Sequence, residues 1–112
     1  MIHKMNLQDS PFKMIKNKEK TVELRLYDEK RRKIKVGDKI IFDNANTNET
    51  ITVKVIKLHI YKDFYELYKH FDKKTIGYKE NEIKDPKDME EYYSKDKIEK
   101  YGVVGIEIKV ID

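Results

Sequence analysis

Ile51-Thr52-Val53-Lys54-Val55-Ile56-Lys57-Leu58-His59-Ile60 is the stretch on which the fold turns. Ile51, Val53 and Val55 alternate with polar residues, as expected of a strand with one buried face. Ile56, Leu58 and Ile60 then resume the alternation on the opposite parity. One extra residue near Val55-Ile56 would restore a single inward face, so the pattern predicts a β-bulge there. Bulges bend strands, and bent strands are what a small closed barrel requires.

On the N-terminal side of this strand, Asp43 to Thr50 is polar and Asn-rich and reads as a hairpin loop. It is preceded by a short strand, Lys39-Ile40-Ile41-Phe42, and a turn at Lys35-Val36-Gly37-Asp38. Further upstream, Thr21 to Tyr27 alternates cleanly: Val22, Leu24 and Leu26 point one way, and Thr21, Glu23, Arg25 and Tyr27 the other. Asp28 to Lys33 is a charged connector with room for one helical turn. Ser10-Pro11 offers a cap and a first helical residue that needs no N–H, opening a helix that ends near Asn17. On the C-terminal side, Asp63 caps a helix bearing Phe64, Leu67, Tyr68 and Phe71, with Glu66 placed for a capping box. Asp85-Pro86 opens another helix, and Ser94 a further turn ending at Gly102. Val103 to Ile111 closes the chain as a strand with Val104, Ile106, Ile108 and Val110 on one face. The order is helix, three strands, a helical insertion and a closing strand, which is α+β with a sheet curled into a barrel.

The 112 residues suit one domain, 1–112, with no Gly/Ser/Pro-rich linker or internal repeat. A charged fraction of 41% exceeds the usual quarter, yet the apolar 38% is gathered into runs that can form a core. With no cysteine, neither disulfides nor a thiolate zinc site nor a thiol nucleophile is available. Met1-Ile2-His3-Lys4 lacks the apolar run of a signal peptide, and no segment reaches membrane-spanning length, so the expected compartment is the cytoplasm. The net charge of +4 is uneven: Lys13 to Lys39 holds eleven Lys/Arg against five Asp/Glu (+6), and Glu80 to Glu91 six acids against two lysines (−4). Such a basic stretch suits phosphate-bearing partners, although a solvated Lys/Glu-rich surface has the same composition.

Lys20-Thr21-Val22-Glu23-Leu24-Arg25 resembles the signature of the ASCH domain family, Gly-x-Lys-x-x-Glu-x-Arg after a short helix. Lys20, Glu23 and Arg25 match three of its four fixed positions, and Lys18 stands where the family has glycine. Ile34 to Ile40 resembles the family's turn into its next strand, and Tyr101-Gly102-Val103-Val104-Gly105-Ile106 its closing strand. The resemblance implies a PUA-like β-barrel with a cleft lined by the signature residues, taken in the family as a site for RNA or a nucleoside- or nucleotide-like ligand. It also implies an alternative, since some members deacylate N4-acetylcytidine and ribonuclease activity is reported for others.

The residues themselves allow three roles. Arg25 offers a planar fork of donors for a phosphate or a base edge. Lys20 offers a point charge, or a base if desolvated. Glu23 can accept from an exocyclic amino group or move a proton. The structural alternative is an exposed ion-pair set on one sheet face, worth little to stability; on the site reading too, Glu23 is expected to be an exposed strand-face carboxylate that contributes little to folding. The amidohydrolase members place a Thr nucleophile three residues after the Lys, where this chain has Glu23. Thr21 is the nearest hydroxyl, and Glu80 and Glu82 are the candidates for the distant Glu of that machinery. If the chain is an enzyme, Lys20, Glu23 and Thr21 are its catalytic candidates. Tyr78, Tyr92, Tyr93 and Tyr101 lie in or beside the helical insertion, where one or two can stack on a base, Tyr78, Tyr92 and Tyr93 foremost, while Tyr68 falls on an apolar stripe and reads as core. His3, His59 and His70 show no metal-ligand spacing, so neither metal nor cofactor is expected.

Overall fold

Alternation and capping set the elements of the computed structural model, which describes residues 1–111; Asp112, the last residue of the expected domain, lies outside the described residues. The order is β1 (Ile2–Leu7), α1 (Asp9–Lys16), β2 (Val22–Leu26), α2 (Glu29–Arg32), β3 (Lys39–Asn44) and β4 (Thr50–Tyr61). There follow α3 (Phe64–Tyr68), a 3-10 helix (Pro86–Glu91), α4 (Lys95–Tyr101) and β5 (Val103–Val110). The five strands form one curled sheet in the order β1-β3-β4-β5-β2. Among the described residues only the β1–β3 pair is parallel, and the others are antiparallel. The fold is therefore α+β. No helix among the described residues is long and apolar enough to cross a membrane.

The bulge lies where the parity switch puts it. Val55 pairs with Ile108 and Lys57 with Glu107, leaving Ile56 as the extra residue. Beyond it Leu58 and Ile60 stand opposite Ile106 and Val104, on the inner face. The apolar face fades toward the strand's end: Leu58 packs on the core, but Ile60 is 50% exposed.

Two apolar layers result. The inner one holds Met5, Leu7, Phe12, Ile15, Ile40 and Phe42 together with Val53, Val55, Val104 and Ile106. The outer one packs Val22, Leu24, Leu26 and Val103 against Phe64, Leu67, Tyr68 and Ile76. Asp63, Asp85 and Ser94 each accept a backbone N–H at the start of their helices, satisfying donors that a helix start leaves unpaired. At α1 the helix begins at Asp9, two residues earlier than Ser10-Pro11 implies, with Gln8 at the cap position. The Asp85 helix is a 3-10 turn that stops at Glu91, so Tyr92 and Tyr93 follow it rather than ride on it.

Strand β1 is the one element absent from the sequence reading. Only Met5 and Leu7 are buried in it, and Ile2 sits exposed on the opposite parity, which blurs the alternation. Its addition makes β1 and β2 the two edges of the sheet, and among the described residues no backbone ladder joins them. The curl is thus a half-barrel with an open seam.

α1 hands the chain to β2 through a Schellman turn. Lys18 N–H donates to Ile15 C=O at 3.0 Å and Glu19 N–H to Met14 C=O at 2.9 Å. The turn requires Lys18 at φ 65°, the left-handed region that glycine occupies without strain. A lysine at the signature's glycine position therefore keeps the turn at a conformational cost. Lys18→Gly is expected to raise stability by about 0.5–1 kcal/mol, the left-handed penalty less glycine's larger unfolded-state entropy. A urea midpoint that stays put or falls would contradict this.

Candidate functional site

On β2, Glu23 stands opposite Ile106 and Arg25 opposite Val104, so both side chains lie on the inner face with those core residues. Leu24 and Leu26 turn to the outer helical layer. At the seam the inner face lacks the neighbour that would close a barrel, and the two charged residues are set into that opening. Lys20 joins them because the Schellman turn carries the chain back over α1, with Lys20 N–H donating to Met14 C=O at 3.1 Å. Residues 72–78 cover it: Thr75 C=O accepts both Thr21 N–H and Val22 N–H, and Gly77 lies against the lysine stem. A Cβ on Gly77 would come within 2.9 Å of Lys20 Cδ, and its φ of 104° disfavours any side chain as well.

The three signature residues form one buried ion cluster. Lys20 Nζ lies 2.7 Å from Glu23 Oε1, and Arg25 Nη2 lies 2.8 Å from Glu23 Oε2. Arg25 Nε also donates to Oε2, at 2.9 Å, and Nη2 reaches across the seam to donate to Asn6 C=O on β1, also at 2.9 Å. Glu23 is only 3% exposed and Lys20 8%. The expectation of an exposed strand-face carboxylate is corrected by this burial, because the face turned away from Val22 and Leu24 is the concave one. Burial pushes the Glu23 carboxyl up, but the Lys20 ammonium and Arg25 guanidinium outweigh it and hold the group below its ordinary 4.5. For Arg25, burial disfavours the cation, yet Glu23 and then Tyr93 hold its pKa above the ordinary value.

The cluster floors a cleft of about 630 Å³. Tyr78, Tyr92 and Tyr93 line it, as does Tyr68, which the sequence assigned to the core alone. The Tyr78 hydroxyl is engaged internally, donating to Asp88 Oδ2 at 2.7 Å and lying 2.9 Å from the Tyr68 hydroxyl, so it offers the cleft its ring. Burial, then the Tyr78 hydrogen bond, pushes the Tyr68 phenol well above its usual range. Tyr93 is fixed by a near-parallel stack on Phe64, with centroids 6.1 Å apart. Tyr92 is 68% exposed and forms the outer lip. Of the distant glutamates, Glu82 lines the cleft and Glu80 does not. Thr21 is also absent from the lining, and its backbone is tied to Thr75 and Ile108. Asn6, Gln8, Ser10 and Pro11 form a wall that no sequence pattern marks, since it depends on β1.

The lining carries Lys20, Arg25 and Lys79 against Glu23, Glu82, Asp88 and Glu91, a formal balance of −1. That is a poor trap for a bare anion and a good one for a neutral ring edged with donors and acceptors. The three histidines are occupied elsewhere: His3 with Asp38 at 2.8 Å, His59 with Glu107 at 2.9 Å, and His70 stacked on Tyr61. Among the described residues no group of three or more His, Cys, Asp or Glu is arranged to hold a metal ion.

The model of the ASCH domain matches residues 5–112, nearly the whole chain. The chain belongs to the ASCH domain family. Two solved structures extend the likeness in three dimensions. The crystal structure of hypothetical protein PH0355 is 35% identical with a TM-score of 0.84, covering 99% of this chain and 100% of that one. The solution NMR structure of protein PF0455 from Pyrococcus furiosus is 34% identical with a TM-score of 0.75, covering 100% of this chain and 99% of that one. No curated protein matches the chain. In the ASCH signature as it stands here, the Lys, Glu and Arg are the ion cluster, and the glycine position is the left-handed turn residue Lys18.

Proposed function

We propose that this ASCH domain is a PUA-like barrel that binds a nucleoside- or nucleotide-like ligand, free or within RNA, in the cytoplasm to which its cysteine-free composition is suited. The observation that carries the reading is a buried Lys20–Glu23–Arg25 cluster at the floor of a roomy cleft walled by tyrosine rings. Rings supply stacking surface to a base whatever its identity, and the charged floor and acidic wall supply edge contacts that choose among bases. Tyr93 is the ring best suited to stacking, because Phe64 already holds its plane.

The hydrolase alternative, acting on a modified cytidine or on RNA, has less support. Both Glu23 oxygens are committed to cations, and a carboxylate held ionised in this way is a weak proton acceptor. Thr21, the nearest hydroxyl in the signature, does not reach the cleft.

A thermal-shift screen of ribonucleosides, modified cytidines and short RNAs tests the proposal. At least one ligand is expected to raise the melting temperature in a saturable way, since binding the native state alone stabilises it by mass action. Tyr93→Ala should weaken that ligand by about 1–3 kcal/mol, the worth of one stacked base. Incubation with N4-acetylcytidine should yield no product above a heat-killed control. A panel with no stabilising member overturns the binding reading, and steady turnover abolished by Lys20→Ala replaces it with the hydrolase.

A further inference from the structure

The seam between β1 and β2 holds a second cavity, of about 260 Å³, on the other side of the Arg25–Asn6 bridge. Its lining is Lys4, Met5, Asn6, Arg25, Lys30 and Arg31. Four of these six residues are cationic and none is a carboxylate, whereas the larger cleft mixes both signs. The two cavities share Arg25 and Asn6, so a ligand lying across the seam meets a mixed-polarity chamber and then a basic one.

The cations are not all solvated surface groups. Arg25 is held by Glu23 and Asn6. Arg31 is held by Asp28, the residue that caps α2: Asp28 Oδ1 accepts the Arg31 backbone N–H at 3.1 Å and Oδ2 accepts Nη1 at 2.8 Å. Two guanidiniums are therefore oriented in advance, which lowers the ordering cost of gripping an oxyanion. Arg31 Nε is buried with no hydrogen-bond partner among the described residues, so this guanidinium is left short of acceptors. Lys4 and Lys30 are exposed and form no ion pair among the described residues. Unneutralised charge beside a pre-set guanidinium pair is the chemistry of phosphate recognition.

We propose that this cavity is a phosphate subsite, and that it takes the phosphate ester of the same nucleotide whose base occupies the larger cleft. The pairing of the two chambers rests on the nucleoside reading above; the anion subsite itself rests only on the residues of the second cavity. It gives the chain a preference for nucleotides over nucleosides that the larger cleft, with its acidic excess, cannot supply.

Two measurements separate the parts. The first follows backbone amides and arginine Nε–H groups by NMR while inorganic phosphate replaces chloride at constant ionic strength. Saturable shifts are expected at residues 4–6 and 28–31 and at the Arg31 side chain, and they should vanish in the Lys4→Gln/Lys30→Gln double variant. Absence of such shifts in the wild-type chain overturns the subsite. The second compares ribonucleosides with their 5′- and 3′-monophosphates by calorimetry. The better monophosphate should bind about tenfold or more tighter than its nucleoside, equivalent to about 1.4 kcal/mol. The double variant should lose that advantage and keep its nucleoside affinity. An advantage that survives in the double variant overturns the subsite, since the phosphate then sits elsewhere. Phosphate shifts without any nucleoside or nucleotide binding would uphold the anion subsite and overturn the base-binding reading of the larger cleft.

Discussion

Glu23→Gln should destabilise the fold by about 3–5 kcal/mol, the cost of removing one member of a buried ionic group and leaving the others uncompensated. The substitution keeps the volume, so no cavity accounts for the loss. What changes is that Lys20 and Arg25, both drawn out of water, face a neutral amide in place of the carboxylate between them. Adding Lys20→Met to the variant should recover part of the loss, because the two sites share one ion pair and their effects do not add. The pH dependence has a definite sign. The folded Glu23 pKa lies below 4.5, so its contribution is complete above that value and is lost as pH falls through the folded pKa. Urea midpoints of wild type and variant should therefore lie far apart at pH 7 and draw together as the pH falls below about 4. A gap under about 1 kcal/mol, as for an exposed ion pair, or one that does not change with pH, would contradict a buried cluster.

The burial of Glu23 also marks where the sequence stopped being readable. Alternation along residues 21–27 correctly separates Val22, Leu24 and Leu26 from Glu23 and Arg25, but period-2 patterning does not say which face is the inner one. The apolar trio would ordinarily be assigned to the core and the charged pair to water. Here one face of β2 packs on the helical layer around Phe64 and Leu67, and the other, which carries Glu23 and Arg25, turns into the concave interior beside the seam. The bulge at Val55/Lys57 was legible because a parity switch inside an apolar run has one simple cause. The caps at Asp63, Asp85 and Ser94 were legible because they depend only on local chemistry. Strand β1 was not, for its signal is two buried side chains, and its pairing with β3 is a contact between residues more than thirty apart in sequence. With β1 went one wall of the cleft: nothing in the sequence marks Asn6, Gln8, Ser10 and Pro11 as cleft residues, and topology alone brings them there. The ASCH signature supplied the charged trio, and the seam supplied the reason three charges can be buried together.

Arg25→Lys should show what that seam costs to hold. Arg25 uses one guanidinium for two tasks, gripping Glu23 through Nε and Nη2 and donating across the gap to Asn6 C=O. A lysine keeps the charge but not the planar fork, and a single ammonium does not reproduce both contacts in that geometry. With charged hydrogen bonds worth about 1.5–3 kcal/mol each, losing one of them predicts destabilisation of about 2 kcal/mol or more. The loss should be local before it is global. β1 is paired to β3 along one edge, and among the described residues no ladder joins its other edge to β2, so the amides of residues 2–7 should exchange about tenfold or more faster in the variant. Amides in the β3–β4 ladder, such as those of Ile40 and Val53, should change only by the global loss. Any ligand that spans the two cavities should weaken as well, because Arg25 lines both. If β1 exchanges no faster than the β3–β4 ladder, the half-barrel is held shut by packing of Met5, Leu7 and Phe12 and not by the arginine. Arg25 would then be a ligand contact alone, and its substitution should lower affinity while leaving the edge of the sheet untouched.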